Sequence, residues 1–249
     1  IYMKLDDVKK LHQKKYRTQY GYYLVEGEHL ILELVKAAKS KVGSITVYIT
    51  DEHLDWSRQL PASLKVVVLN KKQMSQLSDT KTPQGILACV PLPDLTSDQA
   101  STQQGERYIY LHEVQDPGNL GTILRTLAWF GNFRLLLSPN SVDPFNPKVV
   151  RASMGAIFHV PLELDVELLE LQKRFNKFAY LDMQGSAVNS VKFAEYECYL
   201  FGNEARGVPR EALASFNADA FTIAGSGAID SLNLASAVNM CAYQLSVTQ

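Results

Sequence analysis

Two periodicities run through the chain. Leu30, Leu34, Val35 and Ala38 share one stripe at helical spacing, so a helix is expected over residues 30–38. Ile45-Thr46-Val47-Tyr48-Ile49 is β-branched and aromatic, which predicts a strand. Residues 64–69 and 85–90 read as further strands, with a short helix over 71–77 between them. The second half alternates again. Strands are expected at 108–111, 133–137, 178–181, 198–201 and 220–223. Helices are expected at 120–130, 147–154, 165–175 and 209–216, with a last one from about Ser231 to about Ser246. Pro147 suits the first turn of its helix. Such alternation predicts an α/β protein with a mostly parallel sheet flanked by helices.

Residues 93–106 interrupt this pattern with Pro, Asp, Ser, Thr, Gln and Gly and few apolar anchors. They are the expected linker between a small first domain, 1–92, and a second domain, 107–249. The length of 249 residues suits two such domains.

Composition changes this picture little. A net charge of −1 gives no overall positive field, so contact with nucleic acid has to come from a local patch. Lys9, Lys10, Lys14, Lys15 and Arg17 interleave with Tyr16, Tyr20, Tyr22 and Tyr23 near the start. That mixture serves either as a solvated helix face or as an RNA surface, where cations meet phosphate and rings stack on bases. Cys89, Cys198 and Cys241 are scattered, without metal spacing or a disulfide pattern, which suits a reducing cytoplasm. The five histidines show no metal spacing either. No apolar run is long enough to span a membrane. The first residues lack a signal-peptide core, and Ile1 in place of Met suggests a truncated or tagged native start.

The chemistry concentrates in three glycine-containing stretches, each expected at the carboxyl end of a strand. They are Gln115-Asp116-Pro117-Gly118-Asn119-Leu120-Gly121 before Leu124-Arg125-Thr126, then Gly202-Asn203-Glu204-Ala205-Arg206-Gly207, then Gly225 to Asn233 after Ile223 and Ala224. Ligands of open α/β sheets bind at that edge. Each stretch alone also reads as ordinary structure: a turn with Asn119 as helix N-cap, a strand-to-helix connection, and a helix capped by Ser231 with Asn233 in its first turn. Dinucleotide, Walker and nucleophile-elbow patterns are absent.

In order and content the three stretches resemble the motifs of SpoU-type RNA 2′-O-ribose methyltransferases of the SPOUT superfamily. Asn119 and Arg125 match the first motif. Gly202, Asn203, Glu204 and Gly207 match the second, and Ser231-Leu232-Asn233 matches the third. Ala224 departs from the proline frequent there. Lys14-Lys15-Tyr16-Arg17, Leu24-Val25-Glu26-Gly27 and Thr82-Pro83-Gln84-Gly85-Ile86-Leu87-Ala88 resemble the substrate-binding domain often joined to this family, which is like a small RNA-binding ribosomal protein.

The resemblance implies a deep trefoil knot in the second domain and a homodimer packed through it. It implies S-adenosyl-L-methionine as cofactor, bound by Gly202, Ile223, Gly225, Ser231 and Leu232, with Gly202 letting the backbone approach the ligand. It implies methyl transfer to a ribose 2′-hydroxyl of ribosomal RNA, with transfer RNA the alternative and cytoplasmic rRNA processing the setting. Asn119, Arg125, Glu204 and Asn233 would form the catalytic set. Arg125 would orient the hydroxyl or a neighbouring phosphate and stabilise developing alkoxide, because a guanidinium is too weak an acid to serve readily as a base. Glu204 would hydrogen-bond Arg125 or a backbone N–H. RNA affinity would rest on the basic N-terminal stretch and on Arg134, Lys148, Arg151 and Arg206. No membrane and no metal are expected as partners. The rival readings are an RNA-binding assembly factor that keeps the fold without catalysis, and a small-molecule α/β enzyme.

Overall fold

Where apolar runs are long enough to be covered on both faces they become inner strands, and the computed structural model describes them over residues 3–98 and 102–248. Residues 1–2, 99–101 and 249 lie outside the described residues, and with them part of the expected linker and the outermost ends of both expected domains. The chain divides into two compact units. One comprises 1–93 and 143–159, the other 94–142 and 160–249. Residues 143–159 therefore pack with the first unit, although the sequence groups them with the second.

The first unit is built on β1 (Tyr22–Glu26), β2 (Thr46–Thr50), β3 (Lys65–Leu69) and β4 (Ile86–Pro91) in the order β1-β4-β2-β3. β4 runs antiparallel to both neighbours, while β2 and β3 are parallel. Val8, Leu11, Leu24, Tyr48, Met74, Leu77 and Leu87 form one core against the sheet. The helix Lys71–Leu77 has the expected bounds, set by a capping box between Asn70 and Gln73. Two short helices, Leu5–Lys10 and Lys14–Tyr20, and strand β1 occupy the stretch that reads only as basic and aromatic. Gly21, left-handed at φ 74°, ends the second helix and turns the chain into β1.

That stretch is less available to RNA than its composition implies. Arg17 is 2% exposed. Its Nη1 donates to the Leu11 and His12 carbonyls at 2.9 and 3.0 Å, and its Nε and Nη2 to Asp143 at 3.0 and 2.7 Å. It ties the chain together and leaves no face for a phosphate. Tyr23 is also buried, against Phe145 with ring centroids 5.0 Å apart. Lys9, Lys14 and Lys15 remain exposed.

The second unit holds β5 (Arg107–Leu111), β6 (Phe133–Leu137), β7 (Leu162–Glu163), β8 (Phe178–Ala187), β9 (Cys198–Phe201) and β10 (Ala218–Thr222). They form a parallel sheet in the order β10-β8-β9-β5-β6-β7. β6 and β9 keep their expected bounds, whereas β8 runs on to Ala187. The expected helix over 209–216 is a single turn, Arg210–Leu213. Arg134, on β6, is 1% exposed beside the buried Glu106 and Glu163, so it too is withdrawn from the expected RNA surface. No helix of the described residues is long and apolar enough to cross a membrane.

Candidate active site

All strands of the second sheet point the same way, so the loops after β5, β9 and β10 leave one edge. β5 and β9 are direct neighbours, which sets the first two motifs side by side. The helix Pro117–Phe130 carries Asn119 and Arg125 of the first motif, and Leu234–Val247 follows the third.

Capping decides what the two asparagines can do. Asp116, not Asn119, caps the first helix: its Oδ2 accepts from the Asn119 N–H at 2.7 Å, with Pro117 at the start. Asn233, not Ser231, caps the last helix, accepting from the Ser236 N–H at 3.2 Å. The side chain of Asn119 is thereby released from local duty, and the amide of Asn233 keeps its donors. Asn233 Nδ2 donates to Asn119 Oδ1 at 2.9 Å, joining the first motif to the third across 114 residues of chain. With its oxygen occupied, Asn119 has its NH₂ left to offer a ligand.

Glu204 binds the second motif to the first. Its carboxylate accepts from the backbone N–H groups of Gln115 at 3.1 Å and Asp116 at 3.0 Å. Of the two partners expected for it, the structure has the backbone one. Asn203 is buried and holds its own turn: Oδ1 accepts from the N–H groups of Ala205 and Arg206 at 2.9 and 3.0 Å, and Nδ2 donates to the Glu113 carbonyl at 2.7 Å. Neither Asn203's turn-holding role nor any role for Glu113 follows from the sequence.

Glycine at 202 is required by the chain itself. A Cβ there would lie 2.2 Å from the Gly207 carbonyl carbon, so the strand end and the closing of the Asn203–Gly207 turn can meet only over a glycine. A Cβ at Gly225 would meet nothing within 4 Å. Arg125 stands apart from the cluster. It is six residues beyond Asn119, about 120° around the helix and about 9 Å along it, exposed, and without a hydrogen bond or ion pair among the described residues.

Apart from Gly202, the expected cofactor positions lie in residues 223–232. Ile223 is half-buried, and Gly225, Ser231 and Leu232 are exposed. Among the described residues no backbone hydrogen bond joins this segment to the rest of the chain. Open amide and carbonyl groups beside the exposed side chains of Ile229 and Leu232 suit a ligand with a flat apolar body and a hydrogen-bonding edge, which fits the adenine of the implied cofactor.

Two further features complete the surroundings. Burial is the main cause holding His112, at the end of β5, below the ordinary imidazole value. Burial also pushes the thiols of Cys89 and Cys241 up to about 12, so neither is a ready nucleophile. Among the described residues no cluster of His, Cys, Asp and Glu is placed to hold a metal ion.

Comparison with known proteins places this arrangement. Residues 106–243 match the SpoU rRNA Methylase family and residues 3–88 an MRM3-like substrate binding domain. A 23S rRNA (guanosine(2553)-2′-O)-methyltransferase of Bacillus subtilis is 30% identical over 97% of this chain and 95% of its own length. A human mitochondrial rRNA methyltransferase 3 is 35% identical over 62% of this chain, which spans only 37% of that relative. The crystal structure of an AdoMet-bound rRNA methyltransferase from Sinorhizobium meliloti superposes with a TM-score of 0.78 at 26% identity, covering 97% of this chain and 93% of that one.

Proposed function

The chain belongs to the SpoU rRNA methylase family, and from that membership we propose that it transfers a methyl group from S-adenosyl-L-methionine to a ribose 2′-hydroxyl of ribosomal RNA. The observation that carries the reading is the Asn233–Asn119 hydrogen bond together with Glu204 on the Gln115 and Asp116 amides: three distant motifs are locked into one edge of the sheet. The cofactor supplies an electrophilic methyl on a positively charged sulfur. Open backbone of 223–232, with Leu232 and Ile223, receives its adenine, and Gly225 and Ser231 keep that loop unencumbered.

The chain's own residues then have separable tasks. Asn119 offers its NH₂ to an oxygen of the ribose, its direction fixed by Asn233. Arg125 has an uncommitted, exposed guanidinium. It orients the hydroxyl or an adjacent phosphate and stabilises negative charge as the O–H proton passes to solvent water, without acting as the base. Glu204 acts through the backbone of the first motif, keeping Asn119 on its helix in register with the acceptor.

The wider organisation follows the family. Residues 1–92 bind RNA and 107–249 catalyse, with 93–106 as linker. The strand order, which sets β8 and β9 between β10 and β5, supports the deep trefoil knot. Exposed Trp129, Met240, Tyr243 and Val247, on two helices that pack together, support a homodimer through this domain, since such patches mark interfaces. Three buried, unpaired thiols support a reducing, cytoplasmic setting.

The test is labelled methyl transfer onto ribosomal RNA from a strain lacking the protein, beside calorimetry with S-adenosyl-L-methionine. The expected result is one cofactor site and label on ribose 2′-oxygen. Label on a base, or no cofactor binding, overturns the reading. Arg125→Ala is expected to lower transfer by ~10²–10³-fold with the fold intact. Near-full transfer by Arg125→Lys would show that a forked donor is not needed.

A further inference from the structure

Glu113 sits where no sequence signal points, between the end of β5 and the first motif. Its backbone is left-handed, φ 52°, a conformation that disfavours a residue with a side chain. That backbone is used on both sides. The N–H donates to Ser138 Oγ at 2.7 Å, and the carbonyl accepts from Asn203 Nδ2 at 2.7 Å and Gln115 Nε2 at 3.1 Å. The loops after β5, β6 and β9 therefore meet on one residue. A glycine could adopt this turn without strain, yet the chain carries a glutamate there. Its carboxylate takes Nη2 of Arg206, from the turn of the second motif.

Arg206 is otherwise uncommitted. Its side chain is 64% exposed, and among the described residues Nε and Nη1 have no acceptor. A guanidinium carries five N–H donors in a rigid fork. One nitrogen held by a carboxylate leaves an edge free and aimed, which is the geometry for bidentate binding of a phosphate. The turn that carries Arg206 also carries Glu204, which grips the amides of Gln115 and Asp116 ahead of Asn119. An anion on that free edge would lie beside the residues that hold the ribose.

We propose that Arg206 binds a backbone phosphate of the RNA next to the acceptor nucleotide, and that Glu113 is the positioning residue that aims it. The proposal rests on the methyltransferase reading of this site. It separates Arg206 from the other arginines expected to meet RNA: Arg17 and Arg134 are buried in ion pairs, and Arg151 pairs with Asp79 at 2.8 Å.

The experiment is fluorescence anisotropy of a labelled mixed-sequence RNA oligonucleotide with the full chain between ~50 and ~200 mM salt. Calorimetry with S-adenosyl-L-methionine and urea melts accompany each variant. Arg206→Ala is expected to weaken RNA binding ~10-fold at low salt, equally across sequences, and to reduce the salt slope by about one contact. Glu113→Gln, which keeps size and backbone but removes charge, is expected to weaken RNA ~3-fold and to raise KM for RNA more than it lowers kcat. Glu113→Gly, free of backbone strain, should show the same RNA loss although the fold is as stable or more so. In an Arg206→Ala background, Glu113→Gln should add nothing. Cofactor affinity should stay within twofold throughout. An unchanged salt slope in Arg206→Ala, tighter RNA binding by Glu113→Gln, or additive losses in the double variant overturns the proposal and leaves the methyltransferase reading standing. A wild-type protein that binds neither the cofactor nor RNA overturns both.

Discussion

The two edges of the six-stranded sheet treat charge in opposite ways. At the amino edge, Glu106 precedes β5, Arg134 is second in β6, Lys177 precedes β8 and Asp219 is second in β10. Here charges meet charges. Arg134 Nε donates to Glu106 at 3.2 Å, and Arg174 grips Glu163 through both terminal nitrogens at 2.9 and 3.0 Å. At the carboxyl edge charges meet backbone or solvent, and the pair made there, Arg206 with Glu113, lies in the open, with the Arg206 side chain 64% exposed. Glu204 holds amides, Arg125 has no partner among the described residues, and Arg206 spends one nitrogen. An arginine serves structure where it is paired with carboxylates in the dry interior, and serves binding where donors are left facing solvent. Residue type alone does not distinguish the two.

The comparison breaks most visibly at Arg134. Removing it leaves Glu106 and Glu163 buried without their shared cation, a loss that runs to ~3–5 kcal/mol for buried pairs. Arg134→Ala is therefore expected to lower stability by about that much in urea denaturation. Because Arg134 is 1% exposed, the folded fraction should keep its salt slope for RNA. A variant of normal stability with weakened RNA binding would place Arg134 among the binding residues and dissolve the contrast between edges.

Asn233 offers a finer cut at the other edge, because one side chain has two duties. Its oxygen caps the last helix and its nitrogen directs Asn119. Asn233→Ala loses both and is expected to cost ~1 kcal/mol of stability through the cap. Asn233→Asp caps as well as Asn but cannot donate to Asn119. It should melt within ~0.5 kcal/mol of the wild type while methyl transfer falls ~10-fold or more, since orientation of the acceptor is lost. If transfer followed stability through both variants, the Asn233–Asn119 bond would be packing, and the carboxyl edge would lose the link between its first and third motifs.

How far the sequence discloses this depends on the range of the forces involved. β6 and β9 are apolar runs whose bounds follow from composition, and Asn70 with Gln73 is a local stop signal for its helix. The two-residue β7 has too little length for a pattern, and β1 is masked by tyrosines that read as surface. Arg17 looks like a phosphate ligand until Asp143, 126 residues later, takes its guanidinium. The motifs name Asn119, Glu204 and Asn233, but whether a polar side chain caps its own helix or reaches another loop is settled only when Asp116 takes over the first cap. The left-handed turn at Glu113 leaves no trace in composition at all, since glutamate is not a residue that favours it.

The smallest effect tests whether the amino edge is structural along its whole length. Asp219 accepts from the Tyr196 hydroxyl and from the ammonium groups of Lys177 and Lys192 at 2.9 and 3.3 Å. Burial alone would raise its pKa, but these donors together outweigh burial and hold it at about 2, below the ordinary 3.8. A carboxyl with a depressed folded value stabilises the fold above its unfolded pKa, and that contribution fades as pH falls from 3.8 towards 2. Discounted for a partly exposed carboxylate, it is worth about 1 kcal/mol at neutral pH. Asp219→Asn should therefore be about 1 kcal/mol less stable than the wild type at neutral pH in urea melts, with the gap narrowing steadily below pH ~4. A gap that stayed constant through that range would mean that the charge is idle and that the Tyr196 hydrogen bond carries the effect. A gap that closed would make the outermost pair of this edge follow the same rule as Arg134 at its centre: charge placed there holds the sheet together, and the chemistry is left to the opposite side.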